Sequence, residues 1–135
     1  MADAVTSTTV DDGPRKLVVY LTNTSDGTGE AAVTKVDVSE LAKYPDGAGT
    51  TCTGVRITKV WYSTVGMGVK ILWDATTDVI ALQLQADWSD TLDFSSFGGI
   101  PNASGSGKTG DIQFTTVGHS SGDTYSIAME MVKEF

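Results

Sequence analysis

The sequence predicts an all-β fold, a single antiparallel β-sandwich of the jelly-roll type. The first observation behind this is that the apolar residues of most segments recur at every second position, which places them on one face of a strand. The second is that tracts rich in Gly, Asp, Ser and Pro separate these segments, and steps such as Asp-Gly and Gly-Gly favour turns. About eight or nine strands with closely spaced turns are typical of a sandwich or jelly roll.

The predicted strands follow one another along most of the chain. They cover residues 16–23, 33–38, 55–65, 69–74 and 79–86, two short segments around Leu92 and Ile112, and residues 124–132. Within 55–65 the apolar positions change face near Lys59, and such a change predicts a β-bulge. Only residues 38–44 favour a turn or two of helix, for which Ser39 is the expected cap.

Two strands supply the clearest expectation for the core. In each of them the apolar residues alternate with polar or small ones, so one face of the strand is expected to point inward. The residues on these two faces are Ile80, Leu82 and Leu84, and Tyr125, Ile127, Met129 and Met131.

The chain divides into two parts in this interpretation. Residues 1–13 are expected to form an extended N-terminal arm that is flexible alone and is ordered by a neighbour. Residues 14–135 are expected to form the sandwich domain, and no linker or internal repeat interrupts them.

Composition excludes several function classes. The 135 residues carry a net charge of −8, so a basic surface for nucleic acid or for anionic lipid is not expected. The apolar runs are too short to span a bilayer, and the first residues lack the pattern of a secretory signal. We therefore expect synthesis in a cytoplasm, with neither nucleic acid nor membrane as a partner.

Three short features suggest chemistry, but a structural role is favoured for each. GSGKTG at residues 105–110 lacks the first glycine of a phosphate-binding loop and precedes a strand-like segment rather than a helix. His119 could form a triad with Ser120 and Asp123, but sequence neighbours rarely do, and a turn residue bonded to backbone is favoured. The single cysteine, Cys52, is expected to be a small apolar residue. The sequence thus predicts a protein that is not an enzyme, with no catalytic, cofactor-binding or metal-binding residue.

Calcium remains an alternative at two acidic segments, although turn formation is the favoured role of their side chains. The residues concerned are Asp87, Asp90 and Asp93 in one segment and Asn23, Asp26 and Glu30 in the other.

Four large aromatic residues suggest a second function, the binding of carbohydrate. Exposed rings on one sandwich face would stack on sugars, and Trp61 and Trp73 are expected to be cross-strand neighbours. Core packing or a subunit interface is the competing explanation for the whole set, which is Trp61, Tyr62, Trp73 and Trp88.

The whole chain resembles the small virion structural proteins of tailed phages, particularly those of marine hosts. The resemblance lies in four stretches, MADAVTSTTVDDG, DGTGEAAVTKVDVSEL, CTGVRITKVWYSTVGMGVKILWDATTD and DFSSFGGIPNASGSGKTGDIQFTTVGHSSGDTYSIAMEM. It implies a capsid decoration, or cement, protein that binds the outer face of the major capsid protein and stabilises the head. A tail-associated or receptor-contacting carbohydrate-binding module is the alternative function.

Such a role implies a location on the capsid surface of the virion and a homo-oligomer, with a trimer favoured because it matches the local symmetry of a shell. The partner interface is expected in the arm and in the glycine-rich segment 97–108. Its expected residues are Val5, Val10, Phe97, Ile100, Pro101 and Lys108.

Overall fold

A computed structural model describes residues 3–45 and 47–135, and these residues form an all-β fold. Two antiparallel sheets contain nine strands within the described ranges. The strands are β1 (Ala4–Asp12), β2 (Lys16–Thr24), β3 (Val33–Val36), β4 (Gly54–Val65), β5 (Gly68–Trp73), β6 (Val79–Leu84), β7 (Ser89–Asp93), β8 (Ile112–Val117) and β9 (Thr124–Glu134). Short 3-10 turns occupy Val38–Glu40 and Ser95–Phe97.

The strand order is that of a jelly roll. One sheet has the order β1-β2-β9-β4-β7 and the other the order β3-β8-β5-β6. If the outermost strand β1 is set aside, successive strands lie in opposite sheets except β5 and β6, which pair with each other, and this is the order of two interlocked Greek keys. The predicted fold class is therefore confirmed.

The core lies between the two sheets and follows the two-residue period of the strands. β9 contributes all four of its predicted core residues, because Tyr125, Ile127, Met129 and Met131 are each at most 1% exposed. The ring of Tyr125 meets that of Phe114 from the opposite sheet edge-on, with centroids 5.7 Å apart. Edge-to-face contacts of this kind add to the free energy of burying the two rings.

A β-bulge interrupts β4 where the sequence predicts it. The pairing of β4 with β9 shifts between Ile57 and Lys59. The extra residue lets Ile57 and Val60 both point into the core although they are three positions apart. Thr58, at the bulge, donates its hydroxyl hydrogen to the carbonyl oxygen of Glu130 at 2.7 Å.

In β6 the prediction for the core is wrong at one residue. Leu84 is buried and Leu82 packs partly against the core, but Ile80 is 49% exposed. The pairing of β6 with β5 shifts so that Leu82 lies opposite Ile71 and Ile80 lies opposite Leu72. The two adjacent residues Ile71 and Leu72 of β5 are thus paired with residues two positions apart on β6, which is a β-bulge. The bulge turns Ile80 to the outer face of the sheet.

The residues expected to form an extended arm lie along the body of the protein. Residues 1–2 of that segment lie outside the described residues. Residues 4–12 form β1, which pairs with β2 from Ala4 opposite Thr24 to Asp12 opposite Leu17. The short turn at Val38–Glu40 is capped by Asp37, whose carboxylate accepts from the backbone of Ser39, so the expected capping role of Ser39 is wrong.

Candidate functional site

The outer face of the five-stranded sheet carries a shallow groove between two aromatic side chains. Tyr20 of β2 lies opposite Ala128 of β9, and Ala128 in turn lies opposite Trp61 of β4. Tyr20 and Trp61 are therefore two strand spacings apart, about 10 Å, on either side of a methyl group. A small residue between two large ones leaves a depression, and its volume is about 490 Å³. We call it the Tyr20–Trp61 groove.

Hydroxyl groups and one carboxylate, that of Asp90, also line the Tyr20–Trp61 groove, together with Tyr62. Four residues contribute the hydroxyl groups. Thr91 lies opposite Trp61, and Ser63, Ser89 and Ser126 lie opposite one another in the neighbouring row of the same sheet face. None of the four hydroxyls is hydrogen-bonded to another residue in the described ranges. Both the rings and the hydroxyl groups are therefore available to a bound molecule.

Lys59 holds one side of the Trp61 ring. The Lys59 ammonium lies 5.0 Å from the ring centroid, a cation–π distance. Lys59 and Ser63 flank Trp61 along β4, and only Ser63 lines the groove. The lysine therefore contacts the indole without lining the groove.

A second depression continues from the first toward Trp88. It has a volume of about 380 Å³ and shares Ser63 and Ser89 with the Tyr20–Trp61 groove. Trp88 lines it and is 52% exposed, while its carbonyl oxygen accepts a 2.9 Å hydrogen bond from the amide of Thr64. We call this depression the Trp88 groove. The two grooves form one continuous surface that presents three aromatic side chains.

The four aromatic residues singled out in the sequence thus separate into two pairs. Trp61 and Trp88 are on the surface just described, whereas Tyr62 and Trp73 are buried in the core. The prediction that Trp61 and Trp73 are cross-strand neighbours is wrong. β4 and β5 belong to different sheets, because the connection at residues 65–68 crosses from one sheet to the other.

Sequence reasoning missed Tyr20. Residues 17–21 are all apolar or aromatic, so the predicted strand 16–23 shows no alternation in its centre, but in the structure Leu17, Val19 and Leu21 face inward and Tyr20 faces outward. A period-two interpretation of the segment would have placed Tyr20 on the same face as Lys16 and Thr22.

The free edge of β1 is the second notable surface. In the part of the chain that the structure describes, β1 pairs only with β2, so the opposite edge of its backbone is open. Ala4–Asp12 contains no Lys or Pro, the residues that commonly protect an edge strand. A register shift between Thr9 and Asp11 and the charges of Asp11 and Asp12 disturb one end only. The unprotected part of the edge is therefore residues 4–9.

Asp3 fixes the start of β1 to the body of the protein. Its carboxylate accepts hydrogen bonds from the side chains of Asn23, at 3.1 Å, and Ser25, at 3.4 Å, and from the backbone amides of Asp26 and Gly29. Burial raises the pKa of Asp3, but the hydrogen bonds from Asn23, Asp26 and Gly29 outweigh it, so the pKa lies below its usual value.

Lys133 fixes the other end of β1. Its ammonium is fully buried, forms an ion pair with Asp12, and donates to the carbonyl oxygens of Gly13 at 2.7 Å and Ala42 at 3.2 Å. The second carboxylate oxygen of Asp12 accepts from the amide of Ala42 at 2.9 Å. Every donor of the buried ammonium can therefore be satisfied, as a buried charge requires.

A buried polar network lies at the end of the sandwich where β9 begins. Glu30 forms an ion pair with Lys35, and both side chains are nearly inaccessible to solvent. The hydroxyl of Tyr125 donates to Glu30 Oε1 at 2.6 Å. Burial, together with this hydrogen bond to Glu30, raises the pKa of Tyr125 far above its usual value.

His119, Ser120 and Asp123 do not form a triad. The Ser120 hydroxyl donates to Asp123 at 3.1 Å, whereas His119 Nδ1 is hydrogen-bonded to the hydroxyl of Thr116 at 3.0 Å. The partner of the imidazole is thus a side chain and not the backbone expected from the sequence. The ring also lies so close to Gly29 that a Cβ there would clash with His119 Nε2.

The acidic segments use their carboxylates in local structure. Asp87 accepts from the amide of Gly66 at 2.7 Å, Asp93 accepts from Ser95, and Glu30 is held in the buried network. Within residues 3–45 and 47–135, no group of three His, Cys, Asp or Glu side chains is arranged to hold a metal ion.

The GSGKTG segment and Cys52 take structural positions. Residues 105–108 close a turn through a hydrogen bond from the amide of Lys108 to the carbonyl oxygen of Gly105, and β8 follows. Cys52 is buried, and burial raises the pKa of its thiol, which disfavours the reactive thiolate form.

The residues expected at a partner interface lie at separate places. Val5 and Val10 are exposed on β1, at one edge of the five-stranded sheet, and the segment with Phe97 follows β7, at the other edge. Ile100 is half-buried and forms a β-bridge with Ile57. The remaining two residues, both exposed, are Pro101 and Lys108.

Comparisons with known proteins add no relative. No protein-family model matches the chain, and no curated protein or solved structure is significantly similar to it.

Proposed function

We propose that this chain is a non-enzymatic structural protein of a phage virion, a capsid decoration protein that binds the outer face of the major capsid protein. The single observation that carries the proposal is the free edge of β1. The backbone of residues 4–9 is open there, and the strand is held in place from both ends by Asp3 and by Asp12 with Lys133.

An open edge of this kind binds extended segments of other chains. A partner strand laid along residues 4–9 satisfies the unpaired backbone groups of β1 and continues the sheet. Because the edge is already held in an extended shape, little conformational entropy is lost on binding. The exposed side chains of Val5 and Val10 add apolar contact area along the same strand.

The fold and the sequence support the same function. Jelly rolls are common in viral structural proteins, although a fold alone does not define a function. The resemblance of the whole chain to small virion proteins of tailed phages points in the same direction. A closed homo-oligomer, a trimer in our proposal, lets several weak edge contacts act together on a repeating shell.

The proposal is tested by counting the copies of the chain in each virion and by measuring its binding to capsids. Quantitative mass spectrometry of purified virions is expected to find hundreds of copies, and labelling is expected to place them on the head.

Capsids assembled without this chain are then incubated with the purified protein, and the bound amount is measured after sedimentation. We expect binding by the wild type and an approximately tenfold or greater loss for the double variant Val5→Lys, Val10→Lys, because charge on an edge strand opposes strand addition.

The matched control is the double variant Val65→Lys, Val117→Lys. These valines are also exposed, at 57% and 39%, but they lie away from β1. The control is expected to bind like the wild type. Equal binding by the β1 variant, equal loss by the control, or a handful of copies confined to the tail would overturn the proposal.

A further inference from the structure

The continuous surface formed by the Tyr20–Trp61 groove and the Trp88 groove combines two kinds of chemistry. Tyr20 and Trp88 are 42% and 52% exposed, and the groove side of the Trp61 ring is open. Between and beside the rings are unpaired hydroxyl groups, both donors and acceptors. A bound molecule that matches this surface has flat apolar faces and a rim of hydroxyl groups.

The geometry points to a binding site for a neutral oligosaccharide of at least two sugar rings. A pyranose ring presents C–H groups on its faces and hydroxyl groups around its edge, so aromatic side chains cover the faces while serine and threonine hydroxyls reach the edge. One sugar ring occupies the Tyr20–Trp61 groove above Ala128. A second ring occupies the Trp88 groove, and both can contact Ser63 and Ser89, which line the two grooves together.

Charge favours a neutral sugar over an anionic one. Of the residues that the structure describes, no Lys or Arg lines either groove, and each groove is lined by one carboxylate, that of Asp90 in the Tyr20–Trp61 groove and that of Asp87 in the Trp88 groove. The chain as a whole has a net charge of −8, which repels sulfated, phosphorylated or sialylated glycans.

This inference is independent of attachment to a capsid, because the grooves are formed by β2, β4, β7 and β9 and do not involve the free edge of β1. A protein that binds a shell through β1 leaves the outer face of the same sheet available for sugars.

The test is titration of the purified full chain with neutral saccharides. Methyl glucoside, methyl galactoside and N-acetylglucosamine serve as single-ring probes, and cellobiose, maltose, lactose and chitobiose serve as two-ring probes. Binding is followed by isothermal titration calorimetry and by the indole N–H signals in two-dimensional NMR. We expect at least one two-ring probe to bind and to shift the Trp61 and Trp88 indole signals but not that of the buried Trp73.

Single substitutions distinguish the contributions of the two grooves to saccharide affinity. Trp61→Ala and Tyr20→Ala are each expected to weaken binding of the two-ring probe at least tenfold. Trp88→Ala is expected to weaken the two-ring probe but to leave the affinity for the matching single ring unchanged. Phe135→Ala removes an exposed aromatic side chain outside both grooves and is the control that keeps wild-type affinity.

Three results would overturn the inference. The first is that no saccharide of the panel shifts the Trp61 signal. The second is an equal loss of affinity in Trp61→Ala and Phe135→Ala. The third is concentration-dependent self-association that Trp61→Ala abolishes, because the grooves would then be a contact between copies of the chain.

Discussion

Tyr125 remains protonated in the folded protein under conditions in which an exposed tyrosine ionises. Burial and the hydrogen bond to Glu30 raise the pKa of its phenol, so the folded state retains a proton that the unfolded chain releases above about pH 10. The unfolded state then binds fewer protons than the native state, and stability falls as pH rises. Below the unfolded pKa the contribution of this group is fully present.

The first prediction follows from this decrease of stability with rising pH. Above about pH 10 the free energy of unfolding is expected to decrease by up to about 1.4 kcal/mol per pH unit through this single group. Urea unfolding at a series of pH values measures the slope. Tyr125→Phe is expected to reduce it, whereas Tyr44→Phe, at a half-exposed position, leaves it unchanged. An identical slope in Tyr125→Phe contradicts the prediction.

The second prediction concerns the three leucine and isoleucine positions of β6. Leu84→Ala removes a side chain that is 1% exposed and is expected to cost about 2 to 5 kcal/mol. Leu82→Ala is expected to cost less, because its side chain is only partly buried, and Ile80→Ala to change stability by less than about 0.5 kcal/mol. Chemical denaturation of the three variants measures the free energy of unfolding of each. A loss of stability in Ile80→Ala equal to that in Leu84→Ala would contradict the prediction.

At the residue scale the sequence predicted burial well wherever alternation was unbroken. Tyr125, Ile127, Met129 and Met131 alternate with polar or small residues, and all four are in the core. Ile80 alternates with Leu82 and Leu84 but is turned outward by the bulge in β6, and Tyr20 lies in an apolar run in which only the flanking Lys16 and Thr22 indicate the outward face.

At the scale of the element, β1 is held mainly at its ends. Its side chains are exposed from Ala4 to Asp11, so little apolar burial stabilises the strand. Within the described ranges the middle of the strand is hydrogen-bonded only to β2, through the backbone and the Thr6–Thr22 hydroxyl pair, whereas the carboxylate of Asp3 at one end and the Asp12–Lys133 pair at the other connect β1 to further parts of the protein.

The third prediction tests whether the contacts of Asp3 stabilise the start of β1. Asp3→Ala is expected to increase amide hydrogen exchange at the start of β1 and to leave exchange in the central strand β9 unchanged, because only local opening is affected. Hydrogen exchange followed by mass spectrometry measures it. Asp78→Ala removes a comparable turn hydrogen bond, to the amide of Ala75, and is expected to leave β1 unaffected. Protection of β1 that is unchanged in Asp3→Ala would show that pairing with β2 is sufficient.

The two β-bulges show why one irregular element was predicted and the other was not. In β4 the polar residues Arg56, Thr58 and Lys59 make the change of face visible in the sequence. In β6 the bulge lies within VIAL, where every side chain is apolar or small, so a shift of one residue leaves no trace. Only the pairing with β5 reveals it.

At the scale of the whole molecule, the number of strands and their turns were sufficient to predict the fold class. The assignment of strands to sheets was not predictable, since strands that are adjacent in sequence can cross from one sheet to the other, as β4 and β5 do. The grooves depend on this assignment. They bring together residues 20, 61, 88 and 128, which no local pattern connects.

The central position of β9 has a consequence for how the protein forms on the ribosome. β9 lies between β2 and β4 and pairs along its length with both, so most of one sheet is joined through a strand that is synthesised after the other eight strands that the structure describes. A nascent chain cannot complete that sheet before these residues leave the exit tunnel, and until then β2 and β4 expose unpaired edges to other chains. Contacts between residues so distant in sequence also slow the search for the native pairing, so we expect aggregation to compete with folding at high expression levels.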